Sequence, residues 1–569
     1  MTFDTQKAII GRQPFYVIKL YLASCDETFG TGACLGTGEA CFNTIGTCKY
    51  EPAFNKVDKV YTFCSNREKL PLMDMYPFII DMGIIGSKRD PGKTLGRREG
   101  AQILLRDTPH HDRGIDPYLS TRSYNASERG TFWTKLLARN EYYTSKKCEV
   151  YVGYLTDDMT DLSNFEKYTY FIDKIQKNAD NTVTITVKDI FKLSDRATFP
   201  KSAYSSLNGA ITDSDAAFTV GDASEYESSG YVRIDNEISY YASKTATTLT
   251  GIIRAQYGTT AAAHNDGASV QQCETGTNEN VIDTIKRILN TCDVSNDFIP
   301  YSDWSTESAS WLGSYDLNYC ISKPEKGSKL INELIEQCLL TMWWDAKDAE
   351  IKLDAFIPAL PESAVTVTQD VMLKDSFTWE DMPEDKLSQY SMLYGVRDYA
   401  DKVDSENVES LYISFTGESG ENRDNEIRAK QTVSRWFTTV DNGTAVSTTV
   451  SRTLNQKKKN PKKIKFKMDI RHTQPDSDFY IKHPDFIDKY GEEISIPVTI
   501  VTAKQEVLGT TMTYEAISTG AQQQRYALIG YNTFGTYPTE TDAVKDKYGF
   551  ISENTEPFFA DGTEAYKIL

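Results

Sequence analysis

Five of the ten cysteines, Cys25, Cys34, Cys41, Cys48 and Cys64, crowd into one stretch near the N-terminus. Glycine is frequent there, apolar periodicity is weak, and the only proline is Pro52. A segment of about 40 residues this poor in apolar side chains cannot close a core by itself and needs a staple. The spacing is C-x8-C-x6-C-x6-C-x15-C, and three chemistries can use it. Structural zinc takes four thiolates, usually from C-x2-4-C knuckles, and this stretch has none. Disulfides suit paired cysteines in an oxidising compartment, but five is an odd number. An iron–sulfur cluster needs four converging thiolates, and the glycines at 30, 32, 36, 38 and 46 would let backbone N–H groups approach its sulfides. Spacing alone leaves all three open, with one cysteine surplus to either four-thiolate site.

At about 150 residues per domain, 569 residues suggest about four domains. Apolar residues make up 40% and aromatic residues 12%, enough for ordinary cores and too much for wholesale disorder. The net charge of −19 is spread along the chain, which disfavours generic binding to DNA or anionic lipid. No uncharged apolar stretch approaches the ~18 residues that span a bilayer. Asp4, Lys7, Arg12 and Lys19 interrupt the opening where a signal peptide needs an apolar run. The expectation is a soluble, multidomain protein made in the cytoplasm.

The pattern is mainly β with α+β parts. IGRQPFYVIKLYLAS, YPFIIDMGII, AQILLRD and KKCEVYVGYL read as strands, and YTYFIDKI with TVTITVKDIFKL as an antiparallel hairpin across QKNADN. GTFWTKLLARNEYY (130–143) reads as a helix. This N-terminal region, with its cysteine loop at 25–64, is taken as 1–204. A polar, small-residue stretch opens a small β module at 205–277. An α+β region follows at 278–385. In it VIDTIKRILNTC and SKLINELIEQCLLTMWW repeat apolar residues at helical spacing, with Pro324 and Ser328 as start signals for the second helix. Cys338 lies in that second pattern as a small buried hydrophobe. A β-rich region spans 386–535, with ESLYISFTG, TAVSTTVSRTL, KKIKFKMDI, EEISIPVTIVTAK and TTMTYEAISTG as strands. A turn-rich, acidic tail covers 536–569.

Other chemistry is sparse. Adjacent His110 and His111 in RDTPHHDRGIDPY point different ways, so a turn held by His and Asp hydrogen bonds is favoured over a shared metal. No G-x-S-x-G, H-E-x-x-H, Walker A or dinucleotide fingerprint occurs. KKKNPKKIKFK (457–467) could meet a polyanion. In a chain this acidic, a turn and strand with Ile464 and Phe466 inward and Lys463, Lys465 and Lys467 outward is preferred.

Three motifs in fixed order, C…GACLGTGEACFNTIGTCKYEPAF…YTFC, DTPHHDRGIDPY and GTFWTKLLARNEYY, resemble the tail-tip (baseplate hub) proteins of long-tailed bacteriophages. The resemblance covers residues 1–200. The module at 231–264 is similar to a small β domain common in phage tail proteins, through Ile234, Glu237, Gly251, Arg254, Gly258, Thr259, Ala262 and His264. Tyr241 falls one place later than in that pattern. Residues 280–540 resemble hub regions more loosely.

The family resemblance implies a virion structural protein, not an enzyme, at the tail tip of a siphophage. It implies a homotrimer in which two tube-like β-barrel domains per chain form a pseudo-hexameric ring. That ring would join the tail tube, tape measure and distal tail protein to fibre or spike proteins, with DNA touching it only in passage. Related proteins of lambda-like phages and gene transfer agents hold a [4Fe–4S] cluster in this region. The resemblance therefore implicates Cys34, Cys41, Cys48 and Cys64 as ligands, with Cys25 competing for the fourth place and structural zinc as the alternative. A metal-dependent or iron–sulfur oxidoreductase with appended binding domains is the competing reading. A carbohydrate-binding adhesin is a third.

Overall fold

The computed structural model describes residues 14–65, 75–83, 86–95, 100–154, 161–202, 205–313, 315–356, 364–415, 426–439, 443–457, 460–475, 478–507, 510–518, 526–527 and 551–552. It is mainly β, as the sequence pattern implies.

Alternation makes the first strands. In Pro14–Cys25 (β1) nearly every second side chain is buried. It pairs antiparallel with Lys56–Cys64 (β2) and closes over the cysteine loop between them. Ile79–Met82 (β3), Gly86–Lys88 (β4) and Gly100–Arg106 (β5) follow. The expected helix forms over Phe132–Arg139 (α1), with Phe132, Trp133 and Leu136 buried. Lys147–Tyr154 (β6) pairs with β1, and the expected hairpin forms from Glu166–Lys177 (β7) and Thr182–Lys188 (β8). Asn181, at φ +57°, turns that hairpin, a conformation asparagine tolerates better than most residues.

Gly230–Ile234 (β9) and Glu237–Tyr241 (β10) form a tight hairpin. The long strand Ser269–Asn280 (β11) pairs first with β9 and then with Asp316–Ile321 (β12). Between β11 and β12 run Val281–Thr291 (α2) and Tyr301–Trp311 (α3). Helix α3 shows little amphipathic patterning and was not expected. Gly327–Gln337 (α4) packs on α2 through Leu330, Ile331, Leu334 and Ile335, all fully buried. Each such side chain is worth roughly 1.5–3 kcal/mol removed from water.

The helix expected to run through LLTMWW stops earlier. Leu339 sits at φ +53°, and Leu340–Asp345 becomes strand β13, paired with Glu350–Ala355 (β14). A run apolar on every side fits a buried strand as well as a buried helix, so periodicity could not separate them.

Thr366–Thr368 (β15), Thr378–Asp381 (β16), Gln389–Val396 (β17), Val408–Phe415 (β18) and Ala429–Val433 (β19) come next. TAVSTTVSRTL, expected as a strand, lies in the helix Gly443–Lys457 (α5). Val446, Val450 and Leu454 share one buried face four residues apart, and the Thr453 hydroxyl donates back to Thr449 O at 2.7 Å. The helix thus buries apolar surface and satisfies hydroxyls that β propensity leaves out of account. Lys462–Asp469 (β20), Asp478–Ile487 (β21), Glu493–Val507 (β22) and Thr511–Ser518 (β23) complete the frame.

One 14-stranded sheet runs in the order β2-β1-β6-β7-β8-β5-β4-β22-β23-β20-β16, with β3 beside β5 and β21 linking β15 to β22. The N-terminal strands and the last four strands belong to one sheet because short β4 pairs with β22 through Gly86, Ser87 and Lys88. Among the described residues no helix is long and apolar enough to cross a membrane.

Candidate functional site

The cysteine loop hangs from the far end of the β1–β2 ladder. Cys25 N donates to Asn43 O at 2.8 Å, Ser24 Oγ to the same carbonyl at 2.9 Å, and Asn43 Nδ2 returns to Cys25 O at 3.1 Å. These bonds close the loop base. Its apex is held from outside, by the two other motifs of the resemblance.

Phe42 lies between two guanidinium groups, Arg122 at 4.1 Å and Arg139 at 4.0 Å from its ring centre. Each cation–π contact is worth about 0.5–2 kcal/mol, most when desolvated. Arg122 also donates to Ala40 O at 2.6 Å and Cys41 O at 2.9 Å. It forks onto Asp116 through Nε (2.8 Å) and Nη2 (3.1 Å). Arg139 reaches from α1 to Asp112 at 2.6 Å, and Lys135 meets the same carboxylate at 2.6 Å. Burial pushes the Asp112 carboxyl up, but Lys135 and Arg139 outweigh it and hold it below the usual carboxylate range. Phe29 N donates to Tyr118 OH at 2.7 Å, pinning the other side of the loop.

The motif residues now have physical roles. Asp112 takes φ +61°, and its N–H donates to His110 Nδ1 at 3.0 Å, while Arg113 N donates to His111 Nδ1 at 3.0 Å. The histidines hold a turn, as the sequence reading favoured. Asp107 caps α1, accepting from Thr131 Oγ1 (2.7 Å) and Trp133 N (3.1 Å). Trp133 stacks on Phe63 of β2 at 5.1 Å. The helix is thereby fixed to the sheet, and its Lys135 and Arg139 to the loop.

The metal expectation is overturned. Among the described residues no group of three or more Cys, His, Asp and Glu is arranged to hold a metal ion, so neither a [4Fe–4S] cluster nor the alternative zinc has a site. Strand register removes Cys64 from the set. Cys25 pairs with Lys56 at one end of the ladder, and Cys64 with Val17 at the other. Eight residues of strand, about 26 Å at 3.3 Å each, therefore separate the two ends. Cys64 is buried with Phe15, Val17, Met75 and Leu162. Cys25, Cys34, Cys41 and Cys48 do line one hollow, but it holds about 10 Å³, no more than the ~10–15 Å³ that a single water needs. None of the ten cysteines is in a disulfide. Burial pushes the Cys41 thiol up, and its Sγ donates to Asn43 Oδ1 at 3.5 Å.

A second cluster lies in the hairpin β9–β10. Glu237, 2% exposed, accepts from Arg254 through Nε and Nη2 at 2.6 Å each, and from Ala262 N at 3.0 Å. His264 Nε2 lies 3.0 Å from the same carboxylate, and its Nδ1 lies 2.8 Å from Asp235. Glu237, Arg254, Ala262 and His264 of the small-domain pattern thus converge on one buried carboxylate. In the lysine run, Ile464 and Phe466 are fully buried as expected. Lys462, Lys463 and Lys465 face Asp381, Glu380 and Glu515 at 2.8, 3.9 and 3.1 Å. Those pairs offset the charge of three of the seven lysines in the run within the molecule.

No protein-family model and no curated protein matches the chain. Solved structures resemble its backbone. The tail protein from Neisseria meningitidis MC58 is 9% identical, over 78% of this chain and 97% of that chain, with a TM-score of 0.35. The 43 kDa tail protein of prophage MuSo2 from Shewanella oneidensis is 9% identical over 78% and 95%, also at 0.35. Prophage tail protein gp18 from Listeria monocytogenes EGD-e is 9% identical over 76% and 87%, at 0.31.

Proposed function

We propose that this chain is a structural protein of a bacteriophage tail, the hub at the distal tip of a siphophage, made in the host cytoplasm and carried in the virion. One observation carries the reading. The three motifs by which the sequence resembles tail-tip hubs meet around Phe42 through Arg139, Asp112 and Asp116, joined by Arg122 from the stretch between the second and third motifs. Most of the polar groups in that assembly are spent on one another and on the loop carbonyls, as a scaffold requires. The work that the family resemblance gave to metal is here done by buried arginine–carboxylate pairs.

The sheet supports the same reading. It carries two sets of antiparallel strands in line and ends in β2 on one side and β16 on the other. An unpaired sheet edge presents a row of N–H and C=O groups with which another chain can pair. Three copies, each bringing two such sets, would make the pseudo-hexameric ring between the tail tube with its distal tail protein and the fibres or spike. On this reading the chain divides into the hub region 1–204, the small β module 205–277, the α+β region 278–385, the β-rich region 386–535 and the tail 536–569. It has no catalytic role. Negative-stain microscopy of the purified full chain, alone and mixed with tail tubes, tests this. Threefold rings that cap tubes are expected. Single copies that never associate at tens of micromolar would overturn it.

A further inference from the structure

A cavity of about 160 Å³ lies where β4, β7, β13, β22 and β23 meet. Two buried polar atoms of residues on its wall have no partner among the described residues: Nε1 of Trp343, 9% exposed, and Oε1 of Gln505, 6% exposed. An orphaned buried donor or acceptor costs about 1–3 kcal/mol, so native structures seldom leave two beside one hollow unfilled. The occupant must accept on one side and donate on the other.

Charge narrows the choice. The Arg89 guanidinium stacks on the Trp343 ring at 4.0 Å and lines the same cavity, with Lys347 also on the wall. Lys347 Nζ meets Glu166 at 3.1 Å. The one carboxylate on the wall, Asp345, accepts from Lys347 N (2.9 Å) and Asp348 N (3.1 Å). The wall therefore offers an N–H donor, cationic groups and one lone acceptor, which suits an oxyanion that keeps a proton. The volume is at least ten times the ~10–15 Å³ that admits one water, ample room for an ion of five heavy atoms.

We propose that this cavity binds hydrogen phosphate, its oxygens accepting from Trp343 Nε1 and the Arg89 guanidinium while its P–OH donates to Gln505 Oε1. Sulfate has the same shape and no O–H, so it leaves Gln505 unpaired. A site built to bond a hydroxyl rejects the analogue that lacks it. Because the cavity touches β4 and β22, an occupant would brace the join between the two sets of strands.

Isothermal titration of the full chain at pH 7 and matched ionic strength, with inorganic phosphate, glycerol phosphate and sodium sulfate, tests this. Phosphate is expected to bind at least tenfold more tightly than sulfate, and glycerol phosphate tells a free ion from a monoester end. Trp343→Phe, which keeps the stack and removes the N–H, should weaken phosphate at least tenfold. Gln505→Leu should bring the phosphate-to-sulfate ratio close to one, and it serves alone if Trp343→Phe fails to fold. Equal binding of phosphate and sulfate to the unaltered chain, or no binding up to tens of millimolar, overturns the proposal.

Discussion

Arg122 exposes 1% of its side chain and satisfies Asp116, two loop carbonyls and the Phe42 ring at once. Arg122→Met would keep much of the volume and strand the Asp116 carboxylate, whose side chain is fully buried. Breaking a buried pair from one side costs about 3–5 kcal/mol. The expected outcome is cleavage of the loop between Cys25 and Asn55 by added protease while the far-UV dichroism of the sheet persists. Arg122→Lys should rescue little, because a point charge cannot span the fork and two carbonyls. A loop as resistant as the original would remove Arg122 from this role. Glu237 makes the corresponding case in pH. Burial raises its carboxyl, but Arg254, the Ala262 N–H, His264 and the Ala255 N–H outweigh that and hold it at about 2, against an ordinary 4.5. A depressed carboxyl stabilises fully above its unfolded value and loses that contribution as pH falls through the folded one. Stability should therefore drop between about pH 4.5 and 2 by roughly 3 kcal/mol, from 1.36 kcal/mol per unit. Glu237→Gln should flatten that limb in thermal melts, and an unchanged acid limb would show that other carboxylates carry it.

At the scale of elements, the packing of β9–β10 against the rest of the chain hinges on a close backbone approach. Gly258 lies at φ +78°, and a Cβ there would sit 1.7 Å from Arg397 O. The neighbouring Tyr399 N donates to Tyr257 O at 3.2 Å. Gly258→Val should lift this contact at a cost above about 2 kcal/mol. Hydrogen exchange would register it as lost protection at Tyr399, with Val232 and Ile234 still protected by their own pairing. Elements were legible in the sequence where one period dominated: Ile282, Ile285 and Leu289 could only be a helix face, and Ile464 and Phe466 only a strand face. Helix α5 and strand β13 were not, because threonine- and valine-rich helices and all-apolar strands are decided by what packs on them. The clamp was half legible. The sequence order of its three motifs was visible, but a ring held between Arg122 and Arg139 leaves no periodic trace. The cysteine spacing misled for a related reason, since register along β1 and β2 sets how far Cys64 stands from the loop.

For the whole molecule, the consequential contact is the smallest strand. The large apolar cluster under the N-terminal strands and helices is separate from the cluster of Val367, Ile464, Phe466, Phe479 and Ile481 under the last strands. Each could persist without the other, so cooperative unfolding depends on what couples them. In the sheet that coupling is β4, held to β22 through Thr502–Lys88, Ala503–Ser87 and Lys504–Gly86. At Gly86 a Cβ would lie 2.9 Å from Lys504 Cβ, tighter than packed side chains tolerate. Gly86→Val should therefore push β4 off β22 at about 1–3 kcal/mol while leaving both clusters intact. The loss falls on the coupling alone, so calorimetry should resolve one transition into two, with the summed enthalpy nearly preserved. On the proposed reading of a ring between tail tube and fibres, the two halves must move as one body, and the variant would yield chains that fold but assemble poorly. A single transition at the original temperature would mean that contacts other than this strand pairing bind the two halves together.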